Sequence, residues 1–183
     1  MEDLKYRESM AQIFLVRPTV ELREAYIEFF QDWQESGEDM VPWVISKDPT
    51  NYEEMLEFLF KNEDKQYIAD GWVPSSTFWL VNEDRKVVGA VNIRHALTEK
   101  LFNSGGHIGY GIRPSERKKG YATKLLAMAL EKSKEIGISN ALVVCDYVNV
   151  ASRKTIINNG GVQDKDFIEE DGNIINRFWI KLA

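Results

Sequence analysis

The stretch Gly109-Tyr110-Gly111-Ile112-Arg113-Pro114-Ser115-Glu116-Arg117-Lys118-Lys119-Gly120-Tyr121-Ala122-Thr123-Lys124-Leu125-Leu126 carries most of the information in this chain. A glycine-rich apolar run ends at Pro114 and a short basic loop follows. An amphipathic helix then starts near Lys119, with Ala122, Leu125, Leu126, Ala129 and Leu130 as its apolar stripe and Gly137 as its stop. Backbone N–H groups at a helix start have no intrahelical partner, and the helix dipole places partial positive charge there. Gly120 lets a ligand oxygen approach the backbone closely. Ala122 is small for the same purpose, Thr123 adds a hydroxyl donor, and the Tyr121 amide lies between Gly120 and Ala122. The segment reads as a pyrophosphate site, with Arg113, Arg117, Lys118, Lys119 and Lys124 as the charge around it. Two common phosphate loops are excluded. No Gly-x4-Gly-Lys-Ser/Thr string occurs, and Gly109-Tyr110-Gly111 meets Pro114 where a dinucleotide fingerprint needs its third glycine.

Upstream of this stretch, Ile13–Val16 reads as a strand ended by Pro18. A helix runs from Val20 to Ser36-Gly37 with Thr19 as its cap. A loop over 38–49 contains Trp43, and a second amphipathic helix is expected from Tyr52 to about Tyr67. Thr77–Val81 and Lys86–His95 form a hairpin, and a third strand spans Gly105–Arg113. Downstream come a buried strand over Ala141–Cys145 and a short helix over Asn149–Asn158. Strands at Val162–Ile168 and Ile174–Ile180 are joined across Asp171-Gly172. Residues 1–11 are polar and are expected to be helical. The order β-α-α-β-β-β-α-β-α-β-β is that of an α/β protein with a mixed sheet and helices packed on it.

The chain has 183 residues, enough for one domain, expected to span 1–183, and too few for two of ordinary size. Five Trp, seven Tyr and nine Phe can fill a sizeable core. No apolar run approaches the roughly 20 residues of a membrane span, so no membrane partner is expected. The charged N-terminus has no signal-like apolar region after it, and a cytoplasmic location is expected. Cys145 is the only cysteine, which excludes an internal disulfide. With two histidines beside it, no metal site is expected. Residues 1–100 hold 20 acidic and 11 basic side chains, residues 101–183 hold 9 and 12, and most of the later positive excess lies in the basic loop. A local cationic cluster on a protein of pI near 5.1 suits a small polyanion better than nucleic acid.

Arg117-x-x-Gly120-x-Ala122, set between a strand and an amphipathic helix, resembles the Arg/Gln-x-x-Gly-x-Gly/Ala signature of the general N-acetyltransferase (GNAT) superfamily. The likeness continues through the strand ending at Cys145-Asp146, the helix opened by Asn149-Val150-Ala151-Ser152, and the Gly160-Gly161 pair. It covers residues 77–181, and the element order from Ile13 agrees. The whole is similar to a bacterial branch whose acceptors are not assigned. The resemblance implies a mixed central sheet of about seven strands flanked by about four helices. It implies acetyl-CoA as cosubstrate and direct transfer of the acetyl group to a primary amine, a small molecule or an amino terminus. A homodimer is compatible with it.

By the same resemblance, amides of residues 117–122 hold the CoA pyrophosphate. The pantetheine arm lies between the Gly109–Arg113 and Ala141–Cys145 strands, which splay apart, and contacts Asn149. A backbone N–H near Ile112 polarises the thioester carbonyl. The sequence departs from the family at two catalytic positions. Ile156 stands where a tyrosine acid is common, and Gly106 where a glutamate base is common. His107, Tyr110, Asp146, Tyr147 and Ser152 are the candidate substitutes. His107 is considered because imidazole titrates in a useful range, although a strand-edge histidine bonded to backbone is the commoner role. Cys145 reads as buried filler. Glu35, Glu38 and Asp39, near Trp33 and Trp43 in sequence, form a candidate surface for a cationic amine. The alternative class is a non-catalytic acyl-CoA-binding or sensor module on the same fold.

Overall fold

Two runs of apolar residues, buried on both faces, form the centre of the molecule. In the computed structural model, which describes residues 12–182, these runs are β2 (Ser75–Asn82) and β3 (Val87–Arg94). With β1 (Ile13–Val16) and β4 (Ile108–Ile112) they make an antiparallel sheet of order β1-β2-β3-β4. A second antiparallel sheet has the order β5-β7-β6, from β5 (Asn140–Asp146), β6 (Val162–Ile168) and β7 (Ile174–Lys181). Four α-helices flank them: α1 (Arg23–Ser36), α2 (Tyr52–Lys61), α3 (Tyr121–Ile136) and α4 (Val150–Asn158). Seven strands and four helices in this order are what the sequence implied.

The two faces of the first sheet carry separate cores. On one face, Tyr26, Phe29 and Trp33 of α1 and Met55 and Leu59 of α2 pack on Trp79, Val81 and Ala90. Tyr26 stacks on Trp79 with ring centroids 4.1 Å apart. On the other face, Leu125, Leu126 and Ala129 of α3 and Ile156 of α4 pack on Leu80, Val91, Ile93 and the second sheet. Each fully buried large side chain of this kind contributes about 1.5–3 kcal/mol of transfer free energy.

The sheets meet where β4 and β5 begin. His107 N–H donates to the Leu142 carbonyl at 2.7 Å, and Leu142 N–H donates to His107 Nδ1 at 2.9 Å. From this joint the two strands advance side by side, since Tyr110 and Cys145, each three residues on, pack in the same core cluster. They share no ladder beyond the joint and belong to different sheets. The relation of β4 to β5 therefore gives an otherwise antiparallel arrangement its mixed character.

Three boundaries differ most from the sequence reading. The helix expected to reach Tyr67 ends at Lys61, and Lys65–Tyr67 is a separate 3-10 turn. Asp64 Oδ1 accepts from the Gln66 N–H at 3.0 Å, a local bond that competes with continued helix. The strand expected from Gly105 starts only at Ile108. Leu101–Gly105 forms a π-helical turn, and Gly106 has φ of 67°, outside strand geometry. The first helix opens with a 3-10 turn, Val20–Leu22, capped by Thr19 Oγ1. The helix expected within residues 1–11 lies outside the described residues. Among the described residues no helix is long and apolar enough to cross a membrane.

Candidate active site

The N-terminus of α3 is open. Gly120 caps it with φ of 79°, supplies no side-chain hydrogen bond, and would place a Cβ with nothing within 4 Å. The first-turn amides, including those of Tyr121, Ala122 and Thr123, therefore face open space. Tyr121 itself turns its ring into the core. Such an end fits a phosphate, because the donors are unpaired and the dipole favours an anion.

The basic side chains around it are not equivalent. Arg113 is buried, and its Nε lies 3.2 Å from Asp32 Oδ2. Burial opposes ionisation of Asp32, but hydrogen bonds from Ser115 and the Arg113 guanidinium outweigh it and hold the carboxyl below its ordinary range. Arg117 forms an ion pair with Glu38 at 2.7 Å and lies over the Trp33 ring. Its Nε also donates to the Ile112 carbonyl at 3.3 Å. Lys119 reaches the buried carboxylate of Glu116 at 2.7 Å, which Lys86 also contacts. Lys118 and Lys124 have no carboxylate partner among the described residues.

The splay between β4 and β5 collects part of the predicted catalytic set. Arg113 N–H bonds to the Val88 carbonyl and Arg94 N–H to the His107 carbonyl. Antiparallel alternation then turns the N–H groups of Tyr110 and Ile112 away from β3 and into the splay. Tyr110 Oη and Ser152 Oγ lie 2.9 Å apart, joining β4 to the first turn of α4. Burial pushes the Tyr110 phenol up to about 12, against the opposing effect of the Ser152 bond, so it stays a neutral donor at physiological pH. Cys145 borders this pair. It is buried, and burial raises its thiol above the ordinary value.

The remaining candidates are placed otherwise. His107 is a joint between the sheets, with its Nδ1 lone pair committed to the Leu142 N–H. Burial first, and the nearby Arg94 second, depress it to about 4. Asp146 is exposed and accepts from Asn173 Nδ2 at 3.0 Å. Tyr147 is exposed on the surface under Arg153. Asn149 caps α4, its Oδ1 accepting from the Ser152 N–H at 3.0 Å.

Both departures from the family pattern have a physical reason. A Cβ at Gly106 would sit 2.6 Å from the Leu142 carbonyl oxygen, on a backbone with positive φ, so no side chain is tolerated there. Ile156 is fully buried in the core beneath α3.

A cavity of about 650 Å³ opens on the face of the first sheet that carries α1 and α2. Exposed Trp43, Tyr67 and Trp72 stand in its wall, and the two indoles contact each other edge to face at 5.5 Å. Asn92 and Arg94 lie deeper. Arg94 Nη1 donates to the Gly105 and Gly106 carbonyls at 3.0 and 3.2 Å. Its Nη2 lies 3.3 Å from where a Gly109 Cβ would stand, which puts the guanidinium over the middle of the β4 face opposite the core of α3. Arg94 carries no motif and stands outside the residues expected from the sequence to form the site. The signal available was two polar residues at i and i+2 in a strand otherwise apolar. The acidic surface expected around Trp33 does not exist as a unit, since Trp33 is buried and Glu38 is tied to Arg117. Among the described residues, no group of three or more His, Cys, Asp or Glu side chains could hold a metal.

The family model for the acetyltransferase (GNAT) domain matches residues 12–162, and the chain belongs to that family. Among solved structures it is similar to the dodecameric spermidine N-acetyltransferase from Vibrio cholerae, at 16% identity and a TM-score of 0.63, covering 93% of this chain and 94% of that one. It is also similar to a putative phosphinothricin N-acetyltransferase, at 16% identity and a TM-score of 0.61, covering 94% and 99%. The microcin C7 self-immunity acetyltransferase, solved with acetyl-CoA and AMP, shares 14% identity at a TM-score of 0.66 over 95% and 94%. No curated protein matches the chain. At these identities the structural likeness establishes the fold alone.

Proposed function

We propose that this protein is an acetyl-CoA-dependent N-acetyltransferase that acetylates a primary amine by direct attack in a ternary complex. The observation that carries the reading is the conjunction of the uncapped α3 N-terminus with a splay whose inward amides and hydroxyl pair face one another. The first-turn amides of α3, with Lys118 and Lys124, bind the pyrophosphate. The Tyr110 and Ile112 N–H groups pair with the pantetheine arm, and the Ile112 N–H is aimed at the thioester oxygen, where negative charge develops in the tetrahedral intermediate. The amine attacks the carbonyl carbon and the carbon–sulfur bond breaks. Tyr110, sharing its hydrogen bond with Ser152, delivers a proton to the departing thiolate. Because a side chain at Gly106 is barred, the amine gives up its proton to water. In this reading His107 and Asn149 position the strands and helix around the cofactor and touch no reacting atom. β6, whose residues are mostly exposed at the edge of its sheet, is the surface offered for a homodimer.

The absence of a family-type acid at Ile156 and base at Gly106 favours one other reading, a non-catalytic acyl-CoA sensor. Thiol release from acetyl-CoA in the presence of a broad amine panel, with mass detection of the acetylated product, separates the two. Stoichiometric CoA thiol and N-acetyl product are expected. Tight CoA binding with no thiol release from any amine would overturn the transferase reading.

A further inference from the structure

Arg94 is a half-buried cation, partly stripped of solvent, with no carboxylate partner among the described residues. Buried charges in folded proteins are paired or bind ligands, because an unpaired one loses its hydration without return. The other arginines close to the sheets obey this rule: Arg113 has Asp32, and Arg177 has Asp164 at 3.0 Å. Arg94 has only the two backbone carbonyls, both taken by Nη1. The edge formed by Nε and Nη2 has no protein partner among the described residues. That edge is the fork that binds a planar carboxylate through two parallel hydrogen bonds.

The surroundings point the same way. Arg94 is in the wall of the 650 Å³ cavity together with Lys100 and a single carboxylate, Glu169, whose Oε2 accepts from Asn173 at 2.9 Å. Asn62 Nδ2, in the same wall, is a second buried donor with no partner. The cavity therefore presents an unneutralised cation and an unpaired donor beside one unpaired acceptor, Asn92 Oδ1, a set that suits an amine bearing a carboxylate better than a polycation. Arg94 also lies over Gly109, one residue from Tyr110, whose side chain leaves the other face of β4 toward Ser152. A group held by Arg94 is thus next to the splay through which an amine must reach the thioester.

We infer that this cavity is the acceptor subsite and that Arg94 reads a carboxylate on the acceptor, so that the substrate class is an amine that also bears a carboxylate, as in an amino acid or short peptide. The exposed indoles of Trp43 and Trp72 at its wall suit an acceptor with an apolar or aromatic side chain. This inference rests on the transferase reading.

The test needs no turnover. With the protein saturated with CoA, calorimetry measures binding of the product-like pair N-acetyl-L-phenylalanine and N-acetyl-L-phenylalaninamide, which differ only in the carboxylate, and of N-acetylspermidine. The wild type is expected to bind the carboxylate about tenfold or more tighter than the amide, the scale of a charged hydrogen-bonded contact. Arg94→Gln should erase most of that ratio, and Arg94→Lys, which keeps the charge and loses the fork, should fall between. Equal affinity for the pair in the wild type, tighter binding of N-acetylspermidine, or no binding of any of the three would overturn the inference, whether or not the variants fold. Failure of CoA itself to bind in the first titration would instead remove the transferase reading.

Discussion

Residues 113–124 and the cavity around Arg94 are both cationic in sequence, yet they present their charge in opposite ways. The first holds five Arg and Lys side chains within twelve positions, and three of them end on the carboxylates of Asp32, Glu38 and Glu116. The second contributes two cations, Arg94 and Lys100, and Arg94 meets no carboxylate among the described residues. The dense cluster is thus largely neutralised by α1 and its own loop, while the sparse one keeps its field. A count of charges along a chain measures neither. What a ligand meets is charge left over after pairing, in a surrounding that does not screen it.

The strongest way to break this contrast is at Gly120. If the phosphate end works through uncapped amides rather than side-chain charge, Gly120→Glu should lower CoA affinity by on the order of 100-fold, since it adds bulk and negative charge at the dipole's positive end. The side chain would enter open space but on a left-handed backbone, so melting should show a protein destabilised by about 1–2 kcal/mol and circular dichroism a protein still folded. Unchanged CoA affinity in that folded variant would mean that the phosphates bind elsewhere.

The hydroxyl pair in the splay comes next. Tyr110→Phe and Ser152→Ala should each lower kcat by about 10- to 100-fold, the low end for general acid catalysis because a thiolate leaves readily. The KM for acetyl-CoA should change little, as for a contact made mainly in the transition state. Wild-type kcat in both variants would leave backbone polarisation and positioning as the whole of the mechanism.

A paired comparison within the basic loop sharpens the point about neutralised charge. Replacing Lys118 and Lys124 together by Ala should weaken CoA by up to about tenfold at low salt, with the difference shrinking as salt rises. Replacing Lys119 by Ala should cost less, since its ammonium already serves Glu116. The reverse order, measured by the same titration across ionic strengths, would show that the ion pair opens on binding.

The smallest effect is a report from His107 on the field of Arg94. Its folded value, about 4, lies below the ordinary value near 6.5, so the unfolded chain binds the extra proton first. Stability from this group is therefore complete above about pH 6.5 and falls as pH drops toward about 4. Burial is the main cause and Arg94 the lesser. Arg94→Gln should raise the His107 value in an NMR titration by less than a unit, and flatten the loss of stability in that pH window. No shift would mean that solvent already screens Arg94.

Much of this protein was legible before any coordinates. The helix α3, its glycine start and its apolar stripe follow from local periodicity and from the missing partners of helix amides, which are properties of contiguous residues. The order of seven strands and four helices was legible for the same reason. Element ends were less so. The Asp64 side chain bonds the Gln66 N–H beyond the helix end and holds a separate 3-10 turn, and the π-helical turn closes through the Gly106 N–H on the Leu101 carbonyl while the Leu142 carbonyl takes the next N–H, that of His107, from another sheet.

The fold family and the backbone cradle follow from the chain alone, because both depend on short-range pattern and on glycine where a side chain would obstruct. Which charges remain available is settled by packing. Asp32 and Glu38 are separated from their arginine partners by about eighty residues, and Arg94 reaches Gly105 and Gly106 across a turn no periodicity announces. Electrostatic pairing acts through space over a few ångströms and is indifferent to sequence distance, so which cations keep their charge unpaired, Arg94 among them, follows from packing and not from position along the chain.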